Sequence, residues 1–228
     1  TLSCSSAASD VYKRQHLLPC PIEPAQAASL PLSLLTAWHM LVGRARIHPG
    51  QTVLIQAGAS GVGSLAIQIA TLHGAEVAVT ASTDEKRRRC IELGAAHAWA
   101  YEEAKNEVRK WTSKRGVDIV IDHVGTDTWK SSIRCLARGG TLVTCGATSG
   151  HTAEIDLRVL FFKQLSLLGS TMGSMDEMRE SWAAVHTGAV QPVVDRVMPM
   201  TSLAEAHRLL ETRAANGTVV VEQNLCDA

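Results

Sequence analysis

The chain has 228 residues, of which 46% are hydrophobic and 19% are charged. A chain of this length and composition buries a sizeable core, which excludes an intrinsically disordered protein. Its 22 Lys and Arg residues equal its 22 Asp and Glu residues in number, so no overall charge attracts nucleic acid or a membrane surface. No apolar stretch approaches the ~20 residues that a membrane-spanning helix needs.

The beginning of the chain does not resemble a folded domain. It starts at Thr1 with a stretch rich in Ser and Ala, and residues 9–15 resemble the translated adapter left at the broken ends of assembled sequences. We therefore expect residues 1–15 to be a non-native leader. Residues 16–50 are predicted to be a linker and an entry helix, because four prolines favour an extended start and the apolar side chains of residues 25–47 then follow a helical spacing.

The most informative stretch follows. An apolar run at residues 53–57 predicts a strand, the glycine-rich bend Gly-Ala-Ser-Gly-Val-Gly comes next at 58–63, and residues 64–73 have the apolar spacing of a helix. Strand, glycine bend and helix in this order are typical of a dinucleotide-binding site. The pyrophosphate of the ligand is then expected at the N-terminus of the helix, where free N–H groups and the helix dipole favour an anion.

Each glycine of the bend has an expected role. Gly58 is expected to allow the sharp turn, Gly61 to let the backbone approach the ligand closely, and Gly63 to let the helix pack tightly on the sheet. The usual pattern is GxGxxG, and Ser60 stands where its middle glycine would be. The Ser60 hydroxyl can cap the helix or bind a phosphate oxygen, so the site is altered rather than lost.

Strand and helix patterns then alternate along the chain. Strands are predicted at residues 76–80, 96–101, 117–122, 141–145 and 165–168, with helices at 84–93, 102–114 and 126–137. Alternation with glycine turns at most junctions predicts an α/β fold, a doubly wound parallel sheet of the Rossmann type, over residues 51–190. The strand, helix and strand predicted after residue 191 do not continue the repeat, so residues 191–228 are expected to belong to a truncated second domain.

The end of the second strand bears on the choice of cofactor. NAD-selective sites carry Asp or Glu there to bind the ribose 2′-hydroxyl, whereas Ala81 follows Gly63 by 18 residues in this chain. An alanine removes the repulsion that a 2′-phosphate would meet. Ser82 can donate a hydrogen bond to that phosphate and Lys86 can neutralise it, so we predict NADPH over NADH.

Four stretches together resemble the medium-chain dehydrogenase/reductase superfamily, which includes zinc-type alcohol dehydrogenases and quinone oxidoreductases. They are residues 30–39, LPLSLLTAWH; 57–63, AGASGVG; 118–125, DIVIDHVG; and 164–173, QLSLLGSTMG. The tail is similar as well, and the resemblance covers nearly everything after residue 16. It implies a two-domain enzyme of which this chain lacks the N-terminal, β-rich catalytic half.

The resemblance also implies which residues bind the cofactor. Ser60, Gly61 and Val62 would line the pyrophosphate and nicotinamide, and His123 and Val124 would border the adenosine. Four more residues would lie beside the nicotinamide, namely Gly146, Ala147, Thr148 and Ser170. Members of the superfamily commonly pair their sixth strands across a dimer axis, so residues 165–168 are a candidate homodimer interface.

Zinc is not expected in this chain. The resemblance implies that zinc-dependent members have a cysteine ligand before the helix that begins here at Pro31, and this chain has Leu-Pro-Leu-Ser at residues 30–33 instead. Cys20 lies in the proline-rich linker and is a poor substitute. The six cysteines, at positions 4, 20, 90, 135, 145 and 226, form no CxxC pair, which is typical of reduced thiols in a cytoplasmic protein.

The function predicted from these features is hydride transfer between NADPH and a small-molecule substrate, either a carbonyl, an alcohol or an activated C=C bond of a quinone or enone. The alternative is a nucleotide-binding module without catalysis. No convincing acid–base pair is present, so no catalytic residue is assigned. Asp122 either orients His123 or caps the next helix. His39 and His186 are expected to be satisfied residues within helices, and Cys145 to be a small hydrophobic residue.

Overall fold

A computed structural model describes residues 22–223. The expectations for residues 1–21, including the leader and Cys20, lie outside the described residues. Residues 22–223 contain eight strands: β1 Thr52–Ile55, β2 Glu76–Thr80, β3 His97–Trp99, β4 Val117–Asp122, β5 Leu136–Thr144, β6 Ser166–Gly169, β7 Val194–Pro199 and β8 Thr218–Glu222. The helices are α1 Pro24–Ser29, α2 Pro31–Trp38, α3 Gly61–Leu72, α4 Asp84–Glu92, α5 Ala104–Trp111, α6 Thr126–Cys135, α7 Leu157–Lys163, α8 Met175–His186 and α9 Leu203–Glu211.

The first six strands form one parallel sheet in the order β3-β2-β1-β4-β5-β6. This confirms the predicted doubly wound sheet. The central strands β1, β2 and β4 are almost fully buried, because helices cover both faces of a parallel sheet and favour Val and Ile along it. The strand order reverses between β1 and β4, which opens a crevice at their carboxyl ends.

The entry to the sheet is helical, as the apolar spacing of residues 25–47 predicted. The prediction of a single helix is too simple, because Pro24 and Pro31 each begin a separate helix. Proline fits the first helical position, where its missing N–H has no intrahelical acceptor. Helix α2 then continues as a π-helix, His39–Arg44, which brings the Arg44 Nε within 2.9 Å of the Gly169 carbonyl oxygen at the end of β6.

Two helices of the second half were not predicted with bounds, although His186 was expected to lie within a helix and is the last residue of α8. Helix α8 begins with a capping box, in which the Ser174 hydroxyl accepts from the Glu177 N–H and the Glu177 carboxylate accepts from the Ser174 N–H. The Ser-x-x-Glu spacing is a sequence signal for that start. Helix α7 is short, and the Asp156 carboxylate caps it.

The fifth strand is longer than expected. Helix α6 ends at Cys135 and β5 begins at Leu136, whereas the sequence indicated a turn at Gly139 and Gly140 before a strand at 141. Both glycines lie within β5, whose pairing with β4 has a register shift between Val117 and Ile119. The glycines therefore permit an irregular strand start rather than a separate turn.

The tail forms its own small sheet. Strands β7 and β8 pair in parallel, apart from the six-stranded sheet, and both contact α1. Within residues 22–223, no helix has the length and hydropathy needed to cross a membrane.

Candidate functional site

The bend after β1 is made by Ala57 rather than by Gly58. Ala57 has a φ of 52°, in the left-handed region that costs a residue with a Cβ about 1 kcal/mol, whereas Gly58 does not adopt a positive φ. Glycine is needed at 58 for a different reason: an added Cβ would lie 2.7 Å from the Val79 Cβ and 3.2 Å from the Cys90 Sγ. The expected role of Gly58 in the turn is therefore wrong, and the residue allows close packing on β2 and α4.

The other two glycines of the bend are also closely packed. A Cβ on Gly63 would lie 2.4 Å from the Ala57 carbonyl oxygen, so only glycine lets the first turn of α3 rest on the bend. A Cβ on Gly61 would lie 2.7 Å from the Thr218 Oγ1 and 3.2 Å from the Ser33 Oγ. Gly61 thus faces side chains of β8 and α2, and the tail of the chain passes beside the glycine bend.

Ser60 joins the bend to the loop after β4. Its Oγ accepts a hydrogen bond from the Gly63 N–H at 3.0 Å and caps α3. The same oxygen lies 2.9 Å from the Nε2 of His123. The N–H groups of Gly61 and Val62 belong to the first turn of α3, which has no intrahelical acceptors, and they remain suited to an anion.

The loops after β4, β5 and β6 meet beside Ser60. The Val124 carbonyl oxygen accepts hydrogen bonds from the Ser149 N–H at 2.8 Å and the Thr148 hydroxyl at 3.4 Å. A Cβ on Gly146 would lie 3.0 Å from the His123 carbonyl oxygen, and the Ser170 N–H donates to the Thr144 carbonyl oxygen at 2.8 Å. Residues predicted from separate stretches therefore gather at the carboxyl edge of the sheet.

Two buried polar atoms in this region have no hydrogen-bond partner among the described residues, the Nδ1 of His123 and the Oγ of Ser170. Buried polar side-chain atoms are normally satisfied. Burial lowers the pKa of His123, against an opposing effect of the Asp122 charge, so the imidazole is neutral near pH 7. These atoms fit a site that a polar ligand completes.

Asp122 binds the loop that follows β4 and two hydroxyls of α6, and it neither binds the His123 ring nor accepts from an N–H group of the helix. Its carboxylate accepts from the Val124 N–H at 2.9 Å and the Gly125 N–H at 3.1 Å. It also accepts from the Thr128 hydroxyl at 2.8 Å and the Ser132 hydroxyl at 2.7 Å. The residue is fully buried, and these donors replace the water that the charge has lost.

At the end of β2, the residues predicted to bind the 2′-phosphate lie next to the tail. Ala81 is buried and Ser82 is exposed. The Lys86 ammonium donates to the Arg213 carbonyl oxygen at 2.7 Å. Burial lowers the pKa of Lys86, against the opposing charges of Asp195 and Glu85. Lys86 is thus directed towards the segment between α9 and β8.

Sequence reasoning missed Tyr101 and Arg213 in this corner. The pKa of Tyr101 is raised chiefly by burial, with the charge of Arg213 and a hydrogen bond with Thr80 opposing that rise. The prediction placed Tyr101 inside β3, but β3 ends at Trp99, which leaves Tyr101 at the carboxyl edge of the sheet. No local sequence signal marks Arg213, because it comes close to Tyr101 and Lys86 only through the path that the chain takes between α9 and β8.

The remaining histidine and cysteine predictions concern packing. His39 Nδ1 lies 2.7 Å from the Glu177 carboxylate, so His39 is satisfied as expected. Burial raises the pKa of the Cys145 thiol to about 11, which keeps this side chain protonated. Among residues 22–223, no three His, Cys, Asp or Glu side chains are grouped so as to hold a metal ion.

A six-stranded parallel sheet with a glycine bend at its switch point defines the Rossmann class of α/β domains. Residues 61–187 match the zinc-binding dehydrogenase family. The chain belongs to that family, within the medium-chain dehydrogenase/reductase superfamily.

Curated relatives extend this match over most of the chain. A probable quinone oxidoreductase of Schizosaccharomyces pombe is 33% identical over 91% of this chain and 66% of its own length. Quinone oxidoreductase 1 of Escherichia coli is 30% identical over 94% of this chain and 69% of its own length. A zinc-type alcohol dehydrogenase-like protein of S. pombe is 32% identical over 86% of this chain and 59% of its own length. The chain spans 59–66% of the two S. pombe relatives.

Solved structures give the same picture. An NAD-dependent alcohol dehydrogenase is 40% identical, with a TM-score of 0.85 over 88% of this chain and 59% of its own. A mycobacterial protein in complex with NADPH is 32% identical, with a TM-score of 0.81 over 89% and 67%. A crotonyl-CoA carboxylase/reductase in complex with NADP is 28% identical, with a TM-score of 0.85 over 90% and 58%.

Proposed function

We propose that this chain is the cofactor-binding part of an NAD(P)H-dependent oxidoreductase, and that it prefers NADPH. The hydride passes between the nicotinamide and a small-molecule carbonyl, alcohol or activated C=C bond. The observation that carries the proposal is the N-terminus of α3 at the switch point of the sheet, beside the unpartnered His123 Nδ1 and Ser170 Oγ. Relatives named as quinone oxidoreductases and an alcohol dehydrogenase support the reaction class.

The role of the chain in this proposal is to bind and orient. The bound nicotinamide supplies or accepts the hydride. The N–H groups of Gly61 and Val62 hold the pyrophosphate, and the Ser60 hydroxyl fixes them through its cap on α3. The loops that carry His123 and Ser170 form the other wall. We assign no proton transfer to a residue of this chain.

The preference for NADPH rests on the end of β2. Ala81 presents no carboxylate to a 2′-phosphate, Ser82 is exposed beside it, and Lys86 is half-buried close by. Arg213 adds a second cation near Tyr101. The names of the similar structures mention both cofactors, NAD for the 40% identical relative and NADPH for the mycobacterial one. The proposed preference for NADPH therefore rests on the residues at the end of β2.

Two variants test the 2′-phosphate site. Lys86→Ala is expected to weaken NADPH binding about tenfold, as for one lost charge-assisted contact, and to leave NADH binding within twofold. Ser82→Asp is expected to reverse the preference, because its carboxylate repels the phosphate. Arg88→Ala, exposed on the same helix, is the control. Reduced-nicotinamide fluorescence measures the dissociation constants, and equal losses for both cofactors would contradict this site.

The proposed mechanism uses no zinc ligand from this chain, on the grounds of residue type. Where zinc-dependent members carry a cysteine, this chain has Leu-Pro-Leu-Ser at residues 30–33. This stretch offers no thiolate to a zinc ion. We also propose that residues 191–228 complete a second domain, and their separate β7–β8 sheet supports this division.

We further propose a homodimer through β6. This strand ends the sheet, and its Leu167 and Leu168 are only half-buried. The neighbouring helix α7 exposes Leu157, Phe161 and Phe162 by 60–67%, and such apolar patches mark association sites.

Leu167→Lys is expected to convert a dimer into a monomer in sedimentation experiments. Leu72→Lys, at the exposed end of α3, is the control, and an unchanged mass for Leu167→Lys would exclude this interface.

A further inference from the structure

A chain of buried hydrogen bonds crosses the carboxyl ends of β2, β1 and β4. The Thr80 hydroxyl donates to the Gln56 Oε1 at 2.6 Å, and the Gln56 Nε2 donates to the Ser132 Oγ at 3.0 Å. The Ser132 hydroxyl donates in turn to the Asp122 carboxylate at 2.7 Å. All four side chains are at most 1% exposed. Each donor points towards the carboxylate, an arrangement in which successive hydrogen bonds strengthen one another.

The start of this chain holds the glycine bend. The Thr80 Oγ1 accepts from the Ala57 N–H at 3.2 Å, and the Thr80 carbonyl oxygen accepts from the Gly58 N–H at 2.9 Å. The pairing of β1 with β2 ends at Ile55 and Val79. The Thr80 hydroxyl therefore supplies the acceptor at the point where the backbone of β1 leaves the sheet in the left-handed conformation of Ala57.

The far end of the chain holds the opposite wall of the site. Asp122, the final acceptor, also binds the N–H groups of Val124 and Gly125. These residues follow His123, whose imidazole contacts Ser60. One continuous set of hydrogen bonds thus sets both the bend before α3 and the loop after β4.

We infer that Thr80 is a positioning residue for the cofactor, which fixes the Ala57 amide and thereby the direction of the free N–H groups of Gly61 and Val62. The inference rests on the proposed function. Thr80 itself is fully buried and reaches the pyrophosphate site only through the bend, and its hydroxyl also forms a hydrogen bond with Tyr101. Because the pyrophosphate is common to NADPH and NADH, this role predicts an equal effect on both cofactors, unlike that of Lys86.

The test compares Thr80→Val, which keeps the shape and removes the hydroxyl, with Thr80→Ser, which keeps the hydroxyl. Thr80→Val is expected to raise the dissociation constants of NADPH and NADH by the same factor, about tenfold. Thr80→Ser is expected to restore both to within twofold of the original chain. Ser181→Ala is the matched control, because it also removes a buried hydroxyl. The Ser181 hydroxyl lies in α8 and donates to the local Met178 carbonyl oxygen.

A second readout needs no cofactor. Amide hydrogen exchange at Ala57 is expected to be at least about tenfold faster in Thr80→Val than in the original chain or Ser181→Ala. If the original chain binds neither cofactor, the proposed function fails while this measurement still tests the hold on Ala57. Unchanged exchange, or unchanged affinity in folded Thr80→Val, would overturn the inference. If Thr80→Val does not fold, Gln56→Met takes its place in both measurements, because it removes the Gln56 Oε1 that accepts from the Thr80 hydroxyl.

Discussion

Gly63→Ala is expected to abolish measurable dinucleotide binding and to lower the free energy of unfolding by about 1–2 kcal/mol. The new Cβ would lie 2.4 Å from the Ala57 carbonyl oxygen and 2.8 Å from the Gly58 Cα. Both are backbone atoms, so the bend and α3 must separate. Overpacking of this kind costs about 1–3 kcal/mol, which exceeds the gain of up to about 1 kcal/mol from replacing glycine by alanine in a helix.

Binding is expected to suffer more than stability because the displaced segment carries the N–H groups of Gly61 and Val62. A shift large enough to relieve a 2.4 Å contact turns them away from the pyrophosphate. Cofactor titration and chemical denaturation of the same preparation separate the two effects. Leu72→Ala, exposed at the far end of α3, is the control. NADPH affinity within twofold of the original chain would contradict the assigned role of the bend.

Asp122→Ala is expected to lower the free energy of unfolding by about 3–5 kcal/mol, the largest stability effect in this set. It leaves the Val124 and Gly125 N–H groups and the Ser132 hydroxyl without their acceptor. Each unsatisfied buried donor costs about 1–3 kcal/mol. Removal of the buried charge offsets only part of this loss, since the hydrogen bonds already compensate that charge.

Denaturant unfolding measures this loss, with Asp176→Ala as the control. Asp176 lies in the first turn of α8 with 84% of its side chain exposed, and its replacement is expected to change stability by less than about 0.5 kcal/mol. Asp122→Asn keeps one acceptor oxygen, so its loss of stability is expected to lie between those of Asp176→Ala and Asp122→Ala. A loss below about 1 kcal/mol for Asp122→Ala would show that the buried network contributes little.

The strands that form the centre of the sheet could be predicted from the sequence, in two cases to the residue. Residues 76–80 and 117–122 are apolar runs, and a glycine shortly before each run marks its start. Such runs have few alternatives to a buried parallel strand. The bend and its helix could be found for the same reason, since their signal is local.

The contacts that complete the site could not be predicted because they join distant parts of the chain. Ser60 and His123 are 63 positions apart, and Lys86 and Arg213 are 127 apart. Their meeting depends on strand order and on the path of the tail, neither of which local periodicity contains. The strain at Ala57 was also hidden, because glycine, not alanine, is the residue usually expected in a left-handed turn.

The central claim is that the bend at Ser60 binds a dinucleotide. Titration of the purified chain with NADPH and with NADH, followed by reduced-nicotinamide fluorescence, tests it most directly. We expect saturable binding of both cofactors, tighter for NADPH, that is lost in Gly63→Ala. A folded chain that binds neither cofactor would contradict the claim, and tighter binding of NADH would retain the bend but contradict the role of Ser82 and Lys86.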